Sequence, residues 1–316
     1  MPEVVTIGET MVMFSPGQNG PLNYVHSFYK RIAGAESNLA IGLVRLGHSC
    51  GWISKVGKDE FGKFVVREIR AEGVDVSRVK SSENASTGIM FKEISEGMET
   101  KVSYYRKNSA ASQMIPEDLD AEYIAGAKIL HITGITPALG TNCLETVLKA
   151  ISIARSRGVT ISFDPNIRLK LWDREKAREV IKSILPQIDI VLPGVDEGEI
   201  IFGTGSEDKI IDAFLMEGAK IVALKSGSRG AYVANASERY RIAPYKVERV
   251  VDPIGAGDAF AAGFLTGYLE NRALTECGTL ANAMGAFAVT TAGDIEGLPD
   301  RSELEAFINN KHEVTR

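Results

Sequence analysis

Residues 252–264 read DPIGAGDAFAAGF: an acid, a turn with two glycines, a second acid, then small and apolar residues that continue to Leu269. The five residues before it, VERVV at 247–251, are rich in β-branched side chains. Together they predict a strand, a glycine turn and a helix start in succession. Gly255 and Gly257 let the turn take backbone angles closed to other residues and let a ligand meet bare backbone. The first N–H groups of a helix lack intrahelical partners and stand at the positive end of its dipole. Such a helix start is an anion site, suited to the negative charge that grows on a phosphoryl group in transfer. Asp258 stands at that start, where a carboxylate can accept the proton of an attacking hydroxyl. The plainer reading of the same residues is a glycine turn with Asp258 as a helix cap.

The full pattern D-x-x-G-x-G-D-x-F-x-x-G over 252–263 resembles the C-terminal signature of the ribokinase-like (PfkB) carbohydrate kinase family. The resemblance implies that Asp258 is the general base and that the turn at Gly255, Ala256 and Gly257 stabilises the transferring phosphoryl group. The sequence G-x-x-x-x-G-K-[ST] occurs nowhere in the chain, which speaks against a P-loop kinase.

The chain has 316 residues, enough for a substantial core, and its net charge of −5 argues against a general nucleic-acid or membrane-surface binder. With 44% hydrophobic and 24% charged residues, the composition is that of an ordinary globular protein. Cys50, Cys143 and Cys277 are isolated and odd in number, which fits reduced thiols in the cytoplasm better than a disulfide framework. None has metal-ligand spacing with His26, His48, His131 or His312, so all seven read as structural. The N-terminus enters a strand directly, without the pattern of a secretory leader. No apolar run reaches the ~18 residues that span a bilayer.

From the N-terminus, VVTIG at 4–8 reads as a short buried strand, and residues 10–32 as strands around the turn at 16–21. Residues 33–47 then carry apolar side chains at spacings of three and four, a helix closed by Gly47. Its start, AGAESNLA, resembles the family's N-terminal signature, which implies that Gly34 and Asn38 lie against the acceptor sugar. Ser37 or Asn38 as a plain helix cap is the simpler alternative. The family's first strand also implies a polar contact to the sugar, for which Glu9 is the nearest residue. GKDEFG at 57–62 resembles a structural turn before the family's second helix. Residues 87–94 and 101–106 read as two strands around Glu96 and Gly97, a hairpin. With residues 10–32 they would form a small β lid that excludes water from the reaction. The expected organisation is one kinase domain over 1–316, its lid built from about 10–32 and 87–108.

Beyond Lys128, strand-like runs at 129–132, 159–163, 188–192 and 220–224 alternate with helical segments at 142–157, 175–185, 197–202 and 207–218. That alternation predicts a mainly parallel sheet covered on both faces, a three-layer α/β/α core, with ligands beyond the carboxyl ends of the strands. KSGSRG at 225–230 resembles a family segment bordering the nucleotide phosphates, which implies contacts from Lys225, Gly227 and Gly230 with ATP. GVDE at 194–197 stands where relatives carry N-x-x-E; the resemblance implies that Glu197 reaches Mg2+ through water, with Gly194 replacing the Asn. The segment from Asn282 to Gly293 is expected beside the adenine. Asp252, Ile254, Ala288 and Gly293 correspond to the loop that binds a monovalent cation, such as K+, in cation-activated relatives.

SYYRKNSAAS at 103–112 and DPNIRLKLW at 164–172 resemble the branch of this family that phosphorylates 2-keto-3-deoxygluconate. That likeness implies sugar-acid contacts from Tyr105, Arg106 and Arg168, with Met90 where several such kinases place a Tyr. It implies ATP-dependent phosphorylation of the 6-hydroxyl of that acid, and a homodimer joined through the lids. The alternatives are a fructokinase or other hexose kinase of the family, and a non-catalytic sugar binder on the same fold.

Overall fold

The computed structural model describes residues 1–18, 20–93 and 101–310. Nine strands form the large sheet: β1 (Val4–Ile7), β4 (Cys50–Gly57), β5 (Val79–Ser82), β8 (Ile129–Thr133), β9 (Thr160–Asp164), β10 (Ile190–Val191), β11 (Ile221–Lys225), β12 (Ala231–Ala234) and β13 (Arg239–Ile242). Their order is β13-β12-β11-β10-β9-β8-β1-β4-β5. All neighbours from β11 to β5 run parallel, while β12 and β13 turn back antiparallel at one edge.

The longer helices are α1 (Ala35–Arg45), α2 (Glu60–Ala71), α5 (Thr141–Ser156), α6 (Arg174–Ile184), α7 (Val195–Phe202), α8 (Glu207–Met216), α9 (Ala256–Leu269), α10 (Leu274–Ala288) and α11 (Arg301–Asn310); α3 (Ala121–Ala125) and α4 (Ile135–Ala138) are short. Strand alternation divides the core into two layers. Val4 and Trp52 pack with α1, α2, α9 and α10 on one face of the sheet. Val5, Ile7 and Ile53 pack with α5, α6 and α8 on the other. The three-layer α/β/α core expected from the sequence is the one observed.

A second sheet of four strands, β2 (Met11–Pro16), β3 (Phe28–Ala33), β6 (Ile89–Glu93) and β7 (Lys101–Tyr105), has the order β3-β2-β6-β7. The strands β6 and β7 pair antiparallel, as a hairpin requires; the turn expected at Glu96 and Gly97 lies outside the described residues. Among the described residues no helix is long and apolar enough to cross a membrane. The three cysteines are buried and unpaired.

One expected element is absent. Residues 247–251 form no strand, and Val250 and Val251 are 58% and 48% exposed. By then the chain has left β13, the edge of the sheet, and no strand remains to pair with it. The N–H groups of Val251 and Asp252 bond instead to the carbonyl of Val289, at 2.8 and 3.3 Å. The stretch is tied to the end of α10 and delivers the glycine turn from there.

Candidate active site

The anion turn has the expected form, but its two glycines serve different ends. Gly255 has φ of 85°, and a Cβ there would stand 2.9 Å from the carbonyl oxygen of Asp294. Only glycine fits such a position. Gly257 lies within α9 in ordinary helical backbone, so the turn's geometry does not demand a glycine there. A Cβ at Gly257 would face only Lys225 Nζ, at 3.6 Å, so a lysine ammonium borders the open helix start. Among the described residues, the N–H groups of Gly255 and Gly257 have no hydrogen-bond partner, and that of Ala256 reaches Pro253 only at 3.5 Å. These amides are available to an anion.

Asp258 is not a cap: the helix is capped at Gly255 without a side-chain bond. Its Oδ2 accepts from Asn38 Nδ2 at 2.8 Å, and its Oδ1 faces Asn166 Nδ2 at 3.5 Å. Burial pushes its pKa up from 3.8 to about 7, against the Asn38 hydrogen bond; Asp164 and Asp294 add to the rise and Arg168 opposes it. Asn38 sits in the first turn of α1, which Gly34 caps, so neither Ser37 nor Asn38 is the helix cap. Its amide also reaches Asp294 Oδ2 at 3.4 Å, another buried acid whose pKa burial raises to about 6.

Lys225 ends β11 and pairs with Asp164, the end of β9, at 2.7 Å. Burial works against its ammonium, but Asp164 and Glu197 outweigh it and its pKa is raised. Glu197 accepts the N–H of Gly194 at 2.7 Å and that of Ile167 at 2.8 Å. Its own pKa is raised by burial and by Asp164. Lys225 thus pairs with Asp164 and feels the Glu197 charge beside the anion turn, and the two carboxyl groups are oxygen donors of the kind suited to Mg2+. Gly227 and Gly230 have φ of 56° and 93°; the first is open on its outer side, and the second lies under the Ile242 carbonyl. Asn282 donates to the carbonyls of Ile242 and Ala243, at 3.2 and 3.1 Å, and so secures the chain leaving β13.

On the acceptor side, a Cβ at Gly34 would fall 2.5 Å from the Glu9 carbonyl, so close approach there requires glycine. Arg106 does not wait for a ligand. Its Nε and Nη2 both contact Glu9 Oε2, at 2.7 and 2.5 Å, and Ser109 Oγ donates to Glu9 Oε1 at 2.5 Å. Both side chains are buried, and the pair neutralises itself. Arg168 is the exposed one, and among the described residues it makes no ion pair. Its charge is felt at Asp258.

Strand pairing sets the two tyrosines on opposite faces. Met13, Met90 and Tyr104 occupy paired positions on one face of the small sheet, while Phe91 and Tyr105 point to the other. The face of Met90 looks toward the turn before α9, because Lys92 on that face reaches Asp252. Tyr104 lies under Arg106 and Lys170, at 5.7 and 5.5 Å from its ring centre. Tyr105 is 65% exposed and packs edge-on against Phe91. Met90 is buried with Met11 and Met13.

The groups expected to hold a monovalent cation do not fit one. Asp252 is contacted by Lys92 and by the N–H groups of Ile254 and Gly293 at 3.2 and 3.1 Å. The Ala288 carbonyl faces Gly297, where a Cβ would come within 2.4 Å of it. Lys92 and Asp294 were not singled out in the sequence, and Asn166 was given no role of its own within the 164–172 stretch. The one available signal was Lys92 itself, a charge placed on the strand face that also carries Met90.

The profile of the pfkB family carbohydrate kinases matches residues 1–301. The chain is 41% identical over 315 residues to a 2-dehydro-3-deoxygluconokinase of Bacillus subtilis, covering 99% of this chain and 97% of that protein. It is 37% identical to the protein of the same name from Thermoproteus tenax, over 98% and 94% of the two lengths. Among solved structures, an E. coli protein described provisionally as a ribokinase II, in complex with ATP and Mg2+, superposes with a TM-score of 0.91 at 30% identity, covering 98% of this chain and all of that one. The glycine turn, the carboxylate set on it and the likeness along the whole length agree: this chain belongs to the pfkB family of carbohydrate kinases.

Proposed function

We propose that this kinase transfers the terminal phosphoryl group of ATP to the 6-hydroxyl of 2-keto-3-deoxygluconate, the 2-dehydro-3-deoxygluconate of its relatives' names. The observation that carries the choice of acceptor is Arg168: exposed, unpaired among the described residues, and close enough to Asp258 to influence its charge. A guanidinium left free beside a general base suits a substrate with a carboxylate of its own. Arg106 and Glu9, joined at rest, offer hydrogen bonds to hydroxyls while Arg106 keeps Tyr104 in place. Gly34, Asn38 and the buried Met90 complete the acceptor side.

Asp258 takes the proton of the attacking hydroxyl, and its raised pKa keeps the proton affinity a base needs near neutral pH. The amides of Gly255, Ala256 and Gly257 stabilise the charge that builds on the transferring group, with Lys225 beside them. Gly227 and Gly230 let the β11–β12 connection lie along the nucleotide, and Asn282 borders its base. Bound with the nucleotide, Mg2+ would supply charge neutralisation for the phosphates, and Glu197 and Asp164 are the carboxylates that would hold its waters.

The whole chain reads as one kinase domain, with residues 10–32 and 87–108 as a lid that sheds water from the acceptor. One face of that lid carries the row Phe14, Phe28, Phe91 and Tyr105; Phe14 is anchored on Phe61 of α2, and the exposed Tyr105 end is where a second lid would meet it in a homodimer. The three buried, unpaired cysteines accord with a cytoplasmic enzyme. The deciding experiment measures ATP turnover on 2-keto-3-deoxygluconate, fructose and other hexoses. A higher kcat/KM on the sugar acid is expected; preference for a neutral hexose would replace this reading with a hexose kinase, and no turnover on any of them with a sugar-binding protein.

A further inference from the structure

The loop after α10 abuts the anion turn. The Asp294 carbonyl lies 2.9 Å from where a Cβ of Gly255 would be, and Asn38 bonds to both Asp294 and Asp258. Whatever holds this loop therefore holds the amides and the base. Arg45 of α1 donates to its Ile295 and Leu298 carbonyls at 2.8 and 2.6 Å, and two further cations reach it from the small sheet. Lys92 on β6, 1% exposed, contacts the Asp252 carboxylate, whose remaining bonds come from Ile254 and Gly293. Arg31 on β3 donates to the Ala292 carbonyl at 2.6 Å and pairs with Glu296 at 3.3 Å. The space beside Gly293 is filled by the same groups: a Cβ there would come within 2.4 Å of Arg31 Nη1 and closer still to Glu296.

We propose that Lys92 and Arg31 do in this chain what a monovalent cation would do, holding the 252–254 and 292–296 segments in register, so that the kinase works without K+. An ammonium carries the same charge as K+ and already touches the Asp252 carboxylate. A K+ ion entering there would have to displace it and leave a buried lysine without its partner, which is strongly unfavourable. The guanidinium of Arg31 likewise ties up the Ala292 carbonyl and occupies the space beside Gly293. The substitution also changes what the loop depends on. Both charges ride on the small sheet, so the seating of that sheet, and not the salt in solution, sets the anion turn.

The inference rests on the kinase reading for its activity assay, so a second readout is taken without turnover. Wild-type kcat and KM for ATP are compared in KCl and in choline chloride at equal ionic strength. The expected difference is below about fivefold, the lower end of typical coupling between a bound effector and a second site; a larger gain with K+ overturns the proposal. Melting temperatures are measured in KCl, NH4Cl and choline chloride. The wild type should melt alike in all three, since a ligand that does not bind the native state cannot stabilise it. Lys92→Met should melt lower in choline and recover in part with K+ or NH4+, which enter the vacated position. A Lys92→Met protein indifferent to the three salts, or a wild type stabilised specifically by K+, overturns the proposal. If Lys92→Met does not fold, Arg31→Gln carries the same salt comparison with the same criteria. Absence of turnover on every sugar would sink the kinase reading and leave the melting comparison to decide this one.

Discussion

Asn38 Nδ2 donates to Asp258 Oδ2 at 2.8 Å, joining the first turn of α1 to the first turn of α9 across 220 residues of sequence. The bond orients the carboxylate, and its energy favours the charged form that burial disfavours. The residue proposed to meet the acceptor and the proposed base are thus joined, which makes the base testable from either end.

Asp258→Asn keeps the shape and an acceptor for Asn38 but has no lone pair basic enough to take a proton. Its kcat should fall by about 10²–10⁴-fold, the usual cost of losing a general base. ATP affinity, followed by calorimetry, should stay near that of the wild type. A kcat within a few-fold of wild type would remove Asp258 from the chemistry.

The pKa of about 7 sets a pH profile. Only the deprotonated base works, so kcat/KM should climb with pH through about 7 and level off above it. Stability runs the other way. The folded state keeps a proton that the unfolded chain releases near its ordinary value, so this contribution is full below about 4 and lost as pH rises through about 7. Asn38→Ala removes the leading opponent of the shift and should move the acid limb of kcat/KM to higher pH. An acid limb that stays where it was would separate Asn38 from the titration.

The two arginines should respond differently to replacement. Arg168→Leu leaves no buried charge behind, so the melting temperature should hold while the sugar acid loses about 2–5 kcal/mol of kcat/KM and a neutral hexose far less. Arg106→Met strands buried Glu9 and should destabilise the fold by about 3–5 kcal/mol, visible in denaturant titration without any substrate. Equal losses for acid and hexose in Arg168→Leu would rule out the carboxylate contact.

Gly255 and Gly257 should separate as well. Gly255→Ala places a Cβ in left-handed backbone against the Asp294 carbonyl and should cost about 1–3 kcal/mol of stability. Gly257→Ala has room in the free protein, so it should melt normally and show its effect in ATP binding and turnover. A fully active Gly257→Ala enzyme would mean that no phosphate approaches that face.

What was legible in the sequence is what short-range chemistry writes there. The run DPIGAGDAFAAGF announced a glycine turn on a helix start with an acid beside it, and buried strand runs alternating with helices from Lys128 announced the layered sheet. Other outcomes depended on partners far along the chain. VERVV looks like a strand, yet β propensity forms no strand without a neighbour, and the sheet edge had already closed at β13. Tyr104 and Tyr105 are equivalent in composition, and only the register of β7 on β6 shows which one faces Met90. Arg106 meets its partner Glu9 across 97 residues of sequence, and Lys92 reaches Asp252 only because the small sheet carries it there. Turn geometry and periodicity are local properties of a chain, whereas burial and charge pairing are settled only when distant segments meet.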